Sequence, residues 1–513
     1  MKMMTMMRST LTILLRSSFA CLLIAFNILL RFLLIIWTAG STTWLSSSSS
    51  SSGIVIINYI LDLLTSNRAV SFSLAWCIAL SISLYLSRRP RPVLLLDYAC
   101  FKPELERKCS YEVCEYLVRR SRRFSTASEE FMRGIYLKSG LGDETYVPPF
   151  IFQTDYEAKH RSAVEEAEEG MFSAIDALLE KTQVDPSRID IVIATCGMFS
   201  PTPSLASTIL NHYGGFRSDV QTFNLSGMGC SAGVVAIDTA AKLLNGSIRA
   251  SVGAPKKYAL VVVTESISLN WYFGENRSML VTNCIFRVGT AAALLTNDPS
   301  KRSTAKMELR TSLRTHHGAD DASYRAAFQE EDAEGNTGIA LTKDLVRVAA
   351  QGLRDHIRIL APRVLPFSQL LAYAYHSIFA VATATVASPS PSDSSSIWVP
   401  DFGTAFRHMC IHTGGKAVIH QVGKVLRLTD EYTEPARMTL HRFGNTSSSL
   451  VFYQLAYFEA KGRLKKGDTL WMLAFGTGFK VCSLVWTPLR DSRSEPDNPW
   501  NDCIHRYPLK SKT

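Results

Sequence analysis

The chain has 513 residues, 47% of them hydrophobic and 19% charged, which is typical of a globular protein and excludes an intrinsically disordered one. The formal net charge is +10, but residues 1–92 hold eight Lys/Arg side chains and one acid, Asp62, so they carry +7 and the remaining residues carry +3. A nucleic-acid-binding protein would place its basic excess on the folded domain, so this class is excluded.

The cysteines also limit the possible functions. There are 11 of them, with no CxxC pair and no His/Cys cluster at zinc spacing. Scattered cysteines in a long chain indicate a reduced, metal-free protein. We therefore expect neither a metal site nor a resident cofactor.

Two apolar segments lie within residues 1–92. Residues 17–38 are apolar except for Arg31, and residues 69–87 carry no charge. Nineteen helical residues rise about 28 Å, enough for the hydrocarbon core of a bilayer. Basic residues precede the first segment and follow the second, which predicts a membrane hairpin embedded in lipid with both ends in the cytosol. A cleaved signal peptide, with a weak site at residues 38–40, is the alternative.

Helices and apolar strands alternate along the rest of the chain. Predicted strands cover residues 189–194, 221–225, 258–264, 291–296, 307–315, 469–475 and 479–486. Predicted helices cover residues 164–179, 203–213, 231–244, 341–361, 414–427 and 447–462. A Ser/Pro-rich segment at 387–396 is predicted to be a surface loop.

This alternation predicts a layered α/β fold. Two halves of similar pattern suggest a duplication, with a polar break at residues 297–305 between them. The predicted boundaries are residues 93–300 for the first half, 301–490 for the second half and 491–513 for a C-terminal tail.

A glycine-rich turn at residues 227–233 (Gly-Met-Gly-Cys-Ser-Ala-Gly) is the sharpest local motif. Cys230 follows a predicted strand and opens a predicted helix, where the helix dipole favours a thiolate. Its own N–H can face a developing oxyanion. The pattern is that of a nucleophile elbow with Cys in place of Ser. A buried structural Cys in a turn is the alternative.

Two further motifs carry polar side chains at turns. His412 ends a short predicted strand before Gly414 and Gly415, and Asn445 follows a Gly turn before a Ser-rich helix start. An imidazole at such an edge can reach a thiol, and an amide can donate to a carbonyl oxygen. The alternatives are a hydrogen-bonded structural His and a helix cap.

These motifs together resemble those of the plant 3-ketoacyl-CoA synthases, the condensing enzymes of microsomal very-long-chain fatty acid elongation. The resemblance runs from about Arg88 to Trp486. Its motifs are Arg-Arg-Pro-Arg-Pro (88–92), Pro-Thr-Pro-Ser-Leu (201–205), Asn-His-Tyr (211–213), the turn at 227–233, Asn-Arg-Ser-Met-Leu-Val-Thr-Asn-Cys (276–284), Arg-Thr-His (314–316), Gly-Ala-Asp-Asp (318–321), Cys-Ile-His (410–412) and Met-Thr-Leu-His-Arg-Phe-Gly-Asn-Thr-Ser-Ser-Ser (438–449).

The resemblance implies a thiolase-like duplicated αβαβα fold behind an N-terminal transmembrane hairpin, usually as a homodimer. It places the family nucleophile on Cys230 and its His and Asn partners on His412 and Asn445. Three further family histidines fall on His316, His408 and His441, which are expected to be site residues with undefined roles.

The implied reaction joins a long-chain acyl-CoA to malonyl-CoA and releases 3-ketoacyl-CoA, carbon dioxide and CoA, without a redox cofactor or metal. The expected location is the endoplasmic reticulum membrane, as a multi-pass protein with a cytosolic catalytic domain. The other elongase subunits, which are a ketoacyl reductase, a dehydratase and an enoyl reductase, are the expected partners.

Two alternatives stay open at this point. One is a condensing enzyme of the type III polyketide synthase kind, which uses the same Cys/His/Asn set. The other is a catalytically weak scaffold subunit, because the chain departs from the family pattern at Ser226, Thr290, Ala326 and Val481. Ser226 and Thr290 are expected to narrow the acyl tunnel or weaken activity.

Overall fold

The computed structural model describes residues 75–81, 91–153, 157–246, 255–384, 399–412 and 414–509. Two compact units divide the chain: residues 1–90 with 249–254, and residues 91–248 with 255–513. Only residues 75–81 of the first unit are described, and they are helical. All the elements below belong to the second unit.

The predicted membrane location is corrected. The predicted span at residues 17–38 and the predicted loop at 387–396 lie outside the described residues. Within the predicted span at 69–87, residues 75–81 are described, and they are helical. Across the described parts of the chain, no helix has both the length and the apolar character that a membrane crossing requires. This finding overturns the prediction of a multi-pass endoplasmic reticulum protein with a cytosolic catalytic domain.

Nine strands form one central sheet in the order β11-β12-β13-β8-β1-β7-β6-β4-β5. Their bounds are β1 Val93–Cys100, β4 Ile191–Cys196, β5 Gln221–Ser226, β6 Tyr258–Val263, β7 Ala291–Thr296, β8 Met307–His316, β11 His408–Ile411, β12 Leu470–Gly476 and β13 Lys480–Pro488. Two small antiparallel ladders pair β2 (Lys108–Cys109) with β3 (Thr145–Tyr146) and β9 (Ala327–Glu331) with β10 (Thr337–Leu341).

The strand order repeats within the sheet. β1 is antiparallel to β7, β7 is antiparallel to β6, and β6 is parallel to β4. In the same way β8 is antiparallel to β13, β13 is antiparallel to β12, and β12 is parallel to β11. β1 and β8 pair with each other and join the two groups, while β5 extends the first group. The repeated topology agrees with a duplication, and the domain boundaries at residues 300 and 490 stay predictions.

The helices cover the sheet groups and fill the space between them. Their bounds are α1 Tyr111–Ser121, α2 Thr126–Ser139, α3 His160–Thr182, α4 Leu205–Tyr213, α5 Ala232–Asn245, α6 Arg277–Ile285, α7 Asp321–Tyr324, α8 Leu345–Val364, α9 Phe367–Ala384, α10 Lys416–Leu426, α11 Asp430–Phe443 and α12 Leu450–Ala460. α5 contacts β4 and β6 of one group and β12 and β13 of the other. α3 packs outside β1 and β7, and α8 packs outside β8 and β13, which gives five layers.

The two central helices begin in similar ways. α5 follows a 3₁₀ turn at Gly229–Ser231, and α12 follows a 3₁₀ turn at Ser447–Ser449. Every residue of α12 from Leu450 to Glu459 is buried, as expected for a helix with strands on one side and helices on the other. The starts of these helices therefore lie inside the molecule, and the functional motifs lie at those starts.

Most of the predicted elements are present with small shifts at their ends. The strand predicted at 291–296 has those bounds, while the helix predicted at 447–462 begins three residues later because a 3₁₀ turn precedes it. The β9–β10 hairpin was not predicted. In the predicted C-terminal tail, Trp500 is fully buried and donates to the carbonyl of Tyr453 at 2.8 Å, so this segment packs on α12.

Candidate active site

The turn that carries Cys230 depends on two glycines in the left-handed region. Gly227 has φ +65° and Gly229 has φ +55°, which side-chain-bearing residues rarely adopt. A Cβ added at Gly229 would lie 2.7 Å from the backbone nitrogen of Thr477, in the turn after β12. The turn after β12, in the second strand group, therefore lies so close to the nucleophile turn that only glycine fits at position 229.

Cys230 lies partly buried at the start of α5. The Ser447 hydroxyl is 3.4 Å from its sulfur and forms a hydrogen bond with it. Burial raises the pKa of the Cys230 thiol to about 12, although the Ser447 hydrogen bond acts in the opposite direction. The sequence predicts that the helix dipole favours a thiolate, and burial acts against that effect.

His412 directly follows β11 and is 2% exposed. Its backbone N–H donates to the carbonyl of Leu473 at 2.8 Å, which fixes it beside β12. Within the described residues neither ring nitrogen has a hydrogen-bond partner. Burial lowers the pKa of His412 to about 4, so the imidazole is neutral at pH 7. A buried imidazole without partners costs ~1–3 kcal/mol for each unsatisfied group, which a ligand bound here can recover.

Asn445 is held by the loop before β7. Its N–H donates to the carbonyl of Ile285 at 3.1 Å, and its carbonyl accepts from the N–H of Arg287 at 2.9 Å. Gly444 has φ +70°, and a Cβ there would lie 2.3 Å from Cγ of Arg287. The first half of the chain thus positions a residue that the sequence places in the second half.

The orientation of the Asn445 amide follows from one hydrogen bond. Its Oδ1 accepts from the N–H of Ser447 at 2.9 Å. Nδ2 has no hydrogen-bond partner among the described residues and is left as a donor. The helix-cap alternative therefore holds in part. Oδ1 of Asn445 caps the turn before α12, while Nδ2 stays available as a donor to a ligand.

Glu265 is a site residue that the sequence reasoning missed. Its carboxylate is buried, accepts from the N–H groups of Gly197 and Met198 at 3.2 and 2.8 Å, and lies 2.9 Å from the Ser447 hydroxyl. Burial raises its pKa. Glu265 and Cys230 are thus linked through one hydroxyl. The signal in the sequence is an acid two residues after the buried strand β6, at the edge where the other motifs lie.

These side chains surround one cavity of about 330 Å³. Cys230, His412, Asn445, Glu265 and Ser447 supply its polar wall. The other wall is mostly apolar and comes from the β9–β10 hairpin, α8, α10 and the residues around the β12–β13 turn. Its members include Phe286, Ala327, Phe328, Ile339, Leu341, Leu345, Ala349, Val418, Phe475 and Phe479.

The three other predicted histidines lie outside the cavity wall. His316 is exposed at the end of β8, where Nδ1 accepts from the N–H of Gly318 at 3.0 Å. His408 begins β11 and lies 2.9 Å from Asp468, at the opposite end of the strand from His412. His441 lies in α11 with Nδ1 3.0 Å from the Tyr507 hydroxyl. These positions do not support a direct catalytic role for any of the three histidines.

The departures from the family pattern also lie away from the cavity wall. Ser226 is the exposed last residue of β5, and Thr290 is buried with its hydroxyl 2.7 Å from that of Thr264. Ala326 and Val481 are fully buried in a core cluster between α8, α10 and the second strand group. None of the four is among the residues that line the cavity, so the expected narrowing by Ser226 and Thr290 is not seen.

The site combines a thiol, a neutral imidazole and a neutral amide donor at one end of an apolar cavity. Such a set suits acyl transfer, with the thiol as nucleophile, the imidazole as proton acceptor and the amide as donor to a developing oxyanion. The cavity wall suits a long aliphatic group.

Two family models match the chain. The model described as FAE1/Type III polyketide synthase-like protein matches residues 85–382, and the model described as 3-Oxoacyl-[acyl-carrier-protein (ACP)] synthase III C terminal matches residues 404–487. The chain is 42% identical over 450 residues to 3-ketoacyl-CoA synthase 17 of Arabidopsis thaliana, covering 88% of this chain and 89% of that one. It is 44% identical over 430 residues to 3-ketoacyl-CoA synthase 11 of the same plant, with coverages of 84% and 81%.

Solved structures share the fold. A fungal type III polyketide synthase, ORAS, aligns with a TM-score of 0.58 at 18% identity and covers 77% of this chain and 99% of its own. PKS-I from the brown alga Ectocarpus siliculosus aligns with a TM-score of 0.59 at 16% identity, with coverages of 78% and 99%. The predicted thiolase-like α/β fold, which type III polyketide synthases share, is confirmed, and the predicted hairpin lies outside this comparison.

The hydrogen bond between Ser447 and Cys230 can be tested with a matched pair of serines. Ser447→Ala removes a bond that lowers the thiol pKa, so alkylation of Cys230 by iodoacetamide at pH 8 should slow by about 2- to 10-fold, the range of one net hydrogen bond. Ser448→Ala is the control, because the Ser448 hydroxyl is buried without a hydrogen-bond partner in the described residues. Peptide mass spectrometry gives the rates, and equal rates for both variants would contradict the assignment.

Proposed function

Because the chain belongs to the 3-ketoacyl-CoA synthase family, we propose that it condenses a long-chain acyl-CoA with malonyl-CoA and releases a 3-ketoacyl-CoA, carbon dioxide and CoA. The product is two carbons longer than the acyl donor, as very-long-chain fatty acid synthesis requires. The observation that best supports this reaction is the cavity itself, which has a thiol, an imidazole and an amide at one end of an apolar wall.

Cys230 is the nucleophile in this proposal. The thiol pKa lies near 12 and the His412 pKa near 4, so both groups are neutral at pH 7. The thiol proton therefore passes to His412 as the sulfur attacks the acyl thioester, not before. CoA leaves and takes that proton, and the acyl group stays on Cys230.

His412 and Asn445 act in the second half of the reaction. Malonyl-CoA loses carbon dioxide, which leaves negative charge on its thioester oxygen. Nδ2 of Asn445 and an N–H of neutral His412 donate to that oxygen. Both donors are buried, so no water competes for the charge and the interaction is stronger than it would be in water. The carbanion then attacks the acyl-Cys230 thioester, the C–S bond breaks, and Cys230 leaves as a thiolate that takes up a proton from water to become a thiol again.

The related reaction of the type III polyketide synthases has weaker support. Two solved type III polyketide synthases are 18% and 19% identical to this chain, which shows the fold alone. The relatives at 42–44% identity are 3-ketoacyl-CoA synthases. A catalytically weak scaffold has less support, because none of the four departures is among the residues that line the cavity.

We further propose, from the family resemblance, that the protein forms a homodimer and associates with the ketoacyl reductase, dehydratase and enoyl reductase of an elongase. The 3-keto group must be reduced and removed before another elongation cycle can begin, which supports such an association. Sedimentation equilibrium of the purified chain would test the dimer, and a mass of about one chain across the concentration range would contradict it.

Replacing Cys230 should abolish condensation without unfolding the protein. Cys230→Ala removes the nucleophile, so incubation with a long-chain acyl-CoA and malonyl-CoA should give no 3-ketoacyl-CoA by mass spectrometry. Cys482→Ala, a change of a buried cysteine in β13 that does not line the cavity, is the control and should keep activity. Retained activity in Cys230→Ala would contradict the nucleophile, and pyrone products from the unmodified protein would favour polyketide synthesis.

Replacing Asn445 should separate the two halves of the reaction. Asn445→Asp keeps the Oδ1 that accepts from Ser447 but puts a negative charge where charge develops, so malonyl-CoA decarboxylation should fall ~10²- to 10³-fold, as for loss of an oxyanion donor. Labelling of Cys230 by radioactive acyl-CoA should persist. If labelling is lost while decarboxylation continues, the roles are misassigned.

A further inference from the structure

Two cysteines far from the cavity are in direct contact. Cys109 lies in β2 and Cys114 lies in the first turn of α1, and their sulfur atoms are 2.7 Å apart. This separation is shorter than the usual contact between non-bonded sulfur atoms. The side chains are 2% and 5% exposed. Neither residue lines the cavity, and the proposed condensation gives neither of them a role.

A buried cation beside this pair has no acidic partner. Arg287 is 1% exposed and makes no ion pair with a carboxylate among the described residues. Its Nε donates to Thr145 at 2.9 Å and one terminal nitrogen donates to the carbonyl of Phe286 at 2.7 Å. The other terminal nitrogen is 3.8 Å from the sulfur of Cys114. Burial of a charge without an opposite charge is costly, so an anion beside Arg287 is stabilised, and the thiolate of Cys114 is the nearest candidate.

The acid–base properties of the pair agree with this geometry. A hydrogen bond from Cys109 and the charge of Arg287 lower the pKa of Cys114, although burial acts in the opposite direction. The hydrogen bond to Cys114 and burial raise the pKa of Cys109. The pair therefore favours a thiolate on Cys114 and a proton on Cys109, and a thiolate beside a second thiol favours disulfide formation.

We propose that Cys109 and Cys114 are a peroxide-sensitive dithiol, and that its conversion to an intramolecular disulfide lowers the rate at the Cys230 site. The Cys114 thiolate attacks one oxygen of hydrogen peroxide, and the O–O bond breaks. Cys114 becomes a sulfenic acid, and the departing hydroxide takes a proton to give water. The sulfur of Cys109 then attacks the sulfur of Cys114, the S–O bond breaks, and a second water leaves with the Cys109 proton. Two electrons pass from the two sulfurs to the peroxide.

Tyr136 connects the pair to a nearby cavity, although neither cysteine lines that cavity. A cavity of about 100 Å³ opens between α1 and α2 and is lined in part by Tyr136, Val118 and Met132. Tyr136 also interacts with the Cys114 thiol. One water molecule needs ~10–15 Å³ of such volume, so a peroxide molecule fits.

Arg287 connects the dithiol to the catalytic region. The disulfide removes the negative charge that faces its guanidinium, and the backbone N–H of the same residue holds the carbonyl of Asn445 at 2.9 Å. Phe286, the adjacent residue, lines the cavity and pairs with Asn445 in a parallel bridge. A shift of Arg287 therefore displaces the donor proposed for decarboxylation.

The chain provides its own assay for the disulfide. Trypsin cleaves after Lys108 and Arg119, so both cysteines fall in one peptide, residues 109–119. The full-length protein is treated with hydrogen peroxide at pH 7, quenched with acid, denatured, alkylated and digested. We expect this peptide to lose two hydrogens and resist alkylation. The peptide at residues 481–490, with Cys482, is the internal control, because burial raises the pKa of that thiol to about 12.

Dithiothreitol should restore alkylation of both cysteines, and Cys109→Ser should prevent the loss of two hydrogens while leaving Cys114 oxidisable. The condensing rate should fall by about 5-fold with the disulfide and recover on reduction, a factor at the low end of couplings between sites. The double variant Cys109→Ser/Cys114→Ser separates this effect from direct oxidation of Cys230. It cannot form the disulfide, so it should lack the loss of rate that the disulfide causes and dithiothreitol reverses. The inference is overturned if, during peroxide treatment, Cys109 and Cys114 in the peptide 109–119 lose their alkylation no faster than Cys482 does. It is also overturned if the disulfide forms without a reversible change in the condensing rate.

The rate measurement rests on the proposed condensation, but the peptide measurement does not. A reduced protein that never condenses substrates would therefore count against the proposed function, while the disulfide would still be detected or excluded.

Discussion

The pairing of β1 with β8 at the centre of the sheet is the contact on which the site depends. Only three residue pairs join these strands, from Val93 with Leu309 to Leu95 with Met307. They connect two strand groups of the same internal order into one sheet. α5 and α12 pack between these groups, and each begins where a turn from the opposite half presses on it. Without this join, Cys230 and Asn445 would belong to separate layers with no shared cavity.

Tight backbone contacts between the halves then set the positions of the reacting groups. Gly229 leaves room for Thr477, Gly476 for the side chain of Ser231, and Gly444 for Arg287, each at a distance that a Cβ would not tolerate. Long side chains adopt several rotamers, so they would not hold the reacting groups in one position as these close contacts at glycine do. Close contacts at the main chain therefore set the positions of the catalytic groups. The side chains with more rotamers line the apolar wall of the cavity.

The electrostatics of the site follow from burial. Cys230, His412 and Asn445 are all neutral at pH 7, because desolvation penalises the charged thiolate and the charged imidazolium alike. Charge is proposed to appear only as substrate reacts, where neutral donors in a buried site stabilise it most. The region of Arg287 differs, since there a hydrogen bond from Cys109 and the charge of Arg287 lower the pKa of Cys114. At Cys230, burial and the carboxyl group of Glu265 raise the thiol pKa instead.

The sequence by itself determined the layered α/β fold and the motifs of Cys230, His412 and Asn445, because strand and helix periods and glycine turns are local properties. His316, His408 and His441 belong to matching motifs but do not line the cavity, so their place in the site stays a prediction. The tertiary structure alone decided that Glu265 reaches Ser447, that Arg287 holds Asn445, and that the guanidinium of Arg287 lies beside Cys114. These contacts join segments up to 182 residues apart, so they depend on how the strands are ordered in the sheet, which no local pattern encodes.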